Sequence, residues 1–92
     1  MDEGKLRDQQ RRGARAEALL KDDLLQAAFS ELRQSLLHSW ETTAAGQTEE
    51  RERTWLSLRL LEKIKSMLET HVTTGNLAAR QIAMMEPRKK PT

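Results

Sequence analysis

The chain has 92 residues, of which 37% are hydrophobic and 33% charged, with a formal net charge of +2 and no cysteine. A chain this short supports one small domain that buries only about 60–65% of its unfolded surface, so a partner or oligomerisation is the usual source of added stability. Without cysteine, disulfide and thiolate–metal frameworks are excluded. Met1–Lys5 lacks the apolar stretch of a signal peptide, and no apolar run approaches the roughly 20 residues of a membrane span, so the expectation is a soluble intracellular protein.

Charge is unevenly distributed. Residues 1–16 carry five basic against three acidic groups, residues 17–79 seven against ten, and residues 80–92 four against one. An acidic middle with basic ends suggests ends that bind a negative partner or neighbouring copies of the acidic body. The candidates for those contacts are Arg11, Arg12 and Arg15 at one end and Arg88, Lys89 and Lys90 at the other.

Residues 1–13 are polar, contain Gly4 and Gly13, and read as a basic N-terminal arm. From Ala14 the pattern becomes helical. Leu20, Leu24, Leu25, Ala28, Phe29, Leu32, Leu36 and Trp40 recur at three- and four-residue intervals, predicting an amphipathic helix over about 14–41. Asp22 and Asp23 are its weak point, because either can cap a fresh helix start, so a break near Lys21–Asp23 is plausible. The segment Glu41–Gln47, with two threonines and Gly46, reads as a loop.

Thr48 reads as the N-cap of a second helix over about 49–73, with Glu49 and Glu50 opposing the positive end of its dipole. Leu56, Leu60, Leu61, Ile64, Met67 and Leu68 mark its buried side. Trp55 and Leu58 widen that stripe beyond a coiled-coil seam, which implies more than one contact surface: a third element or another copy. Gly75 sits where a left-handed C-cap belongs, followed by a possible short third helix over 76–86 that Pro87 ends, and then a basic tail over 87–92. The expected architecture is all-α: an antiparallel two-helix hairpin spanning 14–75, with Phe29 opposite Leu61 and Leu32 opposite Leu58.

Catalytic and cofactor chemistry find little support. His38 and His71 are the only histidines, and the hairpin register separates them by roughly 29 Å at ~1.5 Å per residue, so they read as ordinary structural residues. No nucleophile elbow or glycine-rich phosphate loop is present, and two helices offer little concave surface. The expectation is a protein that is not an enzyme and holds no cofactor or metal. Trp40 and Trp55 flank the loop and either close the end of the core, with Arg51 over a ring, or anchor an interface.

The stretches Ala14–Leu20, Leu24–Phe29, Leu36–Trp40, Glu50–Leu56 and Leu68–Ala78 resemble small uncharacterised proteins encoded by tailed bacteriophages and prophages. The resemblance spans about residues 14–79 and rests on the Trp, Arg-x-Arg and Gly spacings. Similar proteins often have Asn-Pro where this chain has Asp22-Asp23, which supports a helix break there. It implies a phage context, hence a virion or the host cytoplasm, and no catalytic residues.

The leading expectation is therefore a virion structural or assembly component. It would associate with itself or with a larger phage structural protein through Leu32, Leu36, Trp40, Trp55, Leu58 and Ile64. The alternatives are a small nucleic-acid-binding or DNA-packaging accessory protein, its basic ends neutralising phosphates non-specifically, and an inhibitor of a host protein. Leu58→Asp is expected to abolish helicity or assembly. Unchanged circular dichroism together with unchanged mass by light scattering would count against the stripe.

Overall fold

The computed structural model describes residues 2–86 and contains three helices: α1 (Glu3–Lys21), α2 (Asp23–Thr42) and α3 (Thr48–Met85). The described chain is all-α, and its extents of 72 × 27 × 16 Å make it a long, thin slab. Both α1 and α2 pack on α3 and barely touch each other. Contacts run in reverse order along the partners. Leu6 clusters with Ala78 and Ile82, Gly13 meets Gly75, Phe29 and Leu61 line one groove, and Arg51 reaches Thr43.

The segment expected as a polar arm is helical from Glu3, which corrects the boundary at residue 13. Asp2 caps it by accepting from the Gly4 N–H at 3.0 Å. The exposed pairs Glu3–Arg7, Asp8–Arg12 and Glu17–Lys21 lie one turn apart, each contributing about 0.3–0.5 kcal/mol. Leu6, Gly13 and Ala16 are the only buried residues of α1. So sparse an apolar pattern hides a helix from periodicity. Arg7 bridges Glu3 and Glu86, at 3.4 and 3.2 Å, and ties the start of α1 to the end of α3.

Asp22 separates α1 from α2 and serves both. Its N–H donates to the Leu19 carbonyl at 3.1 Å, and its side chain accepts from the Leu25 N–H at 2.8 Å. Gln26 Nε2 crosses the break to the Leu20 carbonyl at 2.7 Å. The break expected near Lys21–Asp23 falls at Asp22 and divides the helix over 14–41 in two, the first of which begins eleven residues earlier than expected. At the loop, Gln47 rather than Thr48 occupies the N-cap of α3; its side chain instead accepts from the Ala44 N–H at 3.0 Å.

The largest correction concerns Gly75. No described glycine has a positive φ, and α3 runs unbroken through Thr73, Thr74, Gly75 and Asn76 to Met85. There is neither a C-cap at 75 nor a separate helix over 76–86. Packing explains why. A Cβ on Gly13 would stand 2.7 Å from the His71 carbonyl oxygen and 2.8 Å from Gly75 Cα; a Cβ on Gly75 would stand 2.8 Å from Gly13 Cα. The two glycines let α1 and α3 meet backbone to backbone, and that contact offsets the roughly 1 kcal/mol each costs inside a helix. The basic tail over 87–92 lies outside the described residues.

Gly13→Ala decides between two opposing effects. Helix propensity favours alanine by about 1 kcal/mol. The methyl group collides with backbone, which cannot swing aside as a flexible side chain would, at about 1–3 kcal/mol. Net destabilisation is expected in urea unfolding, and a stabilised variant would show that the helices can move apart freely.

Candidate interaction surface

Among the described residues only five hydrophobic side chains are buried (Leu6, Ala16, Leu61, Ala78 and Ile82), while eleven large ones stay exposed. The broad stripes read from the sequence therefore divide. On α2, Leu25, Phe29, Leu36 and Trp40 are half-buried, whereas Leu24 and Leu32 are exposed, Leu24 at 79%. On α3, Leu61 is buried and Leu58 and Leu68 half-buried, whereas Leu56, Leu60, Ile64 and Met67 are exposed, Leu60 at 63%. The expectation that Leu56, Leu60, Ile64 and Met67 lie on the buried side is corrected: one stripe serves two surfaces.

Helical geometry places the exposed set. Each residue advances about 100° around a helix, so a step of +1 from an inward-facing residue turns to one flank and a step of −1 to the other. Phe29 and Leu61 sit inward. Their successors Ser30 and Glu62 line one groove together with Gln26, Arg33 and Lys65. That flank of the slab is polar. Their predecessors Ala28 and Leu60 accordingly share the opposite flank. Leu24 and Leu32 accompany Ala28 there, and Leu56, Ile64 and Met67 accompany Leu60, at three- and four-residue steps. Over its middle the slab has one polar flank and one apolar flank; nearer the loop, Trp55 stands exposed on the Glu62 side, seven residues before it. Arg59, Glu62, Lys63 and Ser66 line a shallow groove with Leu56 and Leu60, giving the apolar flank a charged border along α3 in which two cations stand against one carboxylate.

The six interface residues expected from the sequence fall into two groups. Leu32, Trp55 and Ile64 are exposed, whereas Leu36, Trp40 and Leu58 are half-buried. Leu24, Leu56, Leu60 and Met67 belong to the surface and were missed as interface residues, although their periodicity was visible. The width of the stripe was the signal that one helix contact would not consume it.

At the loop end, the Arg51 guanidinium carbon stands 4.3 Å from the centre of the Trp40 ring, and Arg51 donates to the Thr43 carbonyl at 3.4 Å. Trp55 lines the same recess and carries Arg59 at 5.7 Å from its centroid. Trp40 and Arg51 thus close the end of the slab.

The N-terminal basic residues are less free than their charges suggest. Arg11 and Arg12 share Asp8, at 3.8 and 3.0 Å, while Arg15 is exposed. Arg88, Lys89 and Lys90 lie outside the described residues. His38 is exposed on α2 and His71 half-buried on α3 beside the glycine crossing, so the structure does not bring them together. Among the described residues there is no buried polar or charged side chain and no group of three or more potential metal ligands. No described helix is long and apolar enough to cross a membrane. No protein-family model, curated protein or solved structure matches the chain.

Arg51→Ala is expected to cost about 1 kcal/mol, through lost cation–π contact and an exposed loop carbonyl. For a domain of this size that is a fall in Tm of roughly 4–8 °C. Thermal unfolding followed by tryptophan fluorescence checks this, and an unchanged Tm would remove Arg51 from the end of the fold.

Proposed function

We propose that the chain is a non-enzymatic structural or assembly component, a helical hairpin that docks through its apolar flank. In this reading α1 and α2 form one arm, bent at Asp22, and α3 forms the other, antiparallel to both. The observation that carries the proposal is the apolar flank itself: Leu24, Leu32, Leu56, Leu60, Ile64 and Met67 stand exposed beside an opposite flank built from Gln26, Ser30, Arg33, Glu62 and Lys65. A contiguous apolar patch with a charged border is the signature of a contact surface, and leaving it in water is costly.

The sequence resemblance to phage-encoded proteins supplies the context: a virion or its assembly intermediate, with a larger structural protein or further copies of this chain as partners. Mass spectrometry of purified particles tests this placement. Many copies per particle are expected, and absence from particles would overturn the virion role.

DNA contact is the second reading, favoured by the exposure of Arg11 and Arg15 one turn apart on α1. Their binding would be non-specific and salt-sensitive. A gel-shift assay at about 50 mM salt, where phosphate contacts are strong, is expected to show retardation that weakens as salt rises. No shift at low salt would eliminate this reading.

A further inference from the structure

We infer that the apolar flank is covered by a second copy of this chain, packed face to face about a two-fold axis parallel to the long axis of the slab. The inference rests on the docking role proposed above and names its partner.

Area is the first argument. The six large side chains of the flank are each about half exposed or more. Together they leave on the order of 600 Å² per copy, so two copies meeting there bury roughly 1,200 Å², the lower bound of specific protein–protein interfaces. The area spans two neighbouring helices, the footprint that a second two-helix slab matches. The product is a four-helix arrangement in which each chain supplies the core the other lacks.

Charge selects the orientation. Glu31 stands one turn after Ala28 and two turns after Leu24, on the outer border of the flank along α2. Arg59 and Lys63, with Glu62 in the same groove, leave the matching border along α3 net positive. A two-fold axis along the slab sets α2 of one copy over α3 of the other and keeps positions along the length unchanged. Glu31 then faces Arg59 of the second copy, with Lys63 one turn away. The perpendicular two-fold axis sets α3 on α3 and brings Arg59 and Lys63 of both copies together, which like-charge repulsion disfavours. The apolar residues mate equally well either way, so the border charges decide.

The test uses the full chain. Sedimentation velocity at about 100 μM, above the Kd that interfaces of this size reach, is expected to give twice the 10.6 kDa chain mass. Leu60→Asp is expected to give a single-chain mass with helical circular dichroism retained, because Leu60 is mostly exposed within one chain. A wild-type mass other than two copies overturns the inference, and so does a Leu60→Asp chain that remains paired.

If Leu60→Asp loses helicity, the exposed charge variants provide the measurement. Glu31→Lys is expected to weaken pairing about tenfold at low salt, with recovery when Arg59→Glu and Lys63→Glu are added. No recovery overturns the α2-on-α3 orientation. The particle measurement separates the two levels: a single-copy chain abundant in particles refutes the second copy alone, whereas a paired chain absent from particles refutes the virion role alone.

Discussion

Every packing contact of consequence in this protein is made with α3. α1 and α2 meet each other only at the Asp22 break, so neither has another surface against which to bury an apolar side chain. α3 must therefore remain one continuous helix over 38 residues, long enough at ~1.5 Å per residue to carry both partners in series. The weakest part of that helix is Thr73–Asn76, where four poor helix formers follow one another. It is also where α1 approaches most closely, through Gly13 and Gly75. The contact that requires glycine is the contact that keeps the glycine helical.

The two halves of the slab are held differently, and the functional surface follows from the difference. Around the glycine crossing, small residues bring backbones together, and Leu6, Ala78 and Ile82 form a compact cluster. Beyond Asp22 the helices are separated by larger side chains such as Phe29, Leu61 and Trp40, and the apolar pattern of each helix is wider than the other can cover. Apart from Trp55, the surplus of α2 and of α3 opposite it faces one way because both helices place it near the position one residue before the inward one. A chain with a thin core thus carries a surface whose burial adds to its stability, coupling folding to association.

Much of the α2–α3 half was legible in the sequence. The three- and four-residue spacing of Leu25, Phe29, Leu36 and Trp40, and of Leu61, Leu68 and their neighbours, marks helices, and the Glu41–Gln47 composition marks the loop between them. In the α1 half, residues 14–21 and the break were legible, whereas residues 3–13 and the passage of α3 through Gly75 were not. Glycine inside a helix and glycine after a helix look alike in a sequence, and only a partner backbone at van der Waals distance distinguishes Gly75 from a C-cap. α1 has a charged surface with three buried residues, so it has no stripe to detect.

By itself the sequence determined that the chain is helical, where its loop lies and that its apolar stripes exceed a single seam, because local propensity and periodicity act over neighbouring residues. Only the tertiary structure decided that residues 3–13 join the first helix, that α3 continues through Gly75, and which leucines of each stripe face inward and which face water. Those outcomes depend on the distance and rotation between helices far apart in the chain, and a one-residue difference in facing direction moves a side chain from the core to the surface.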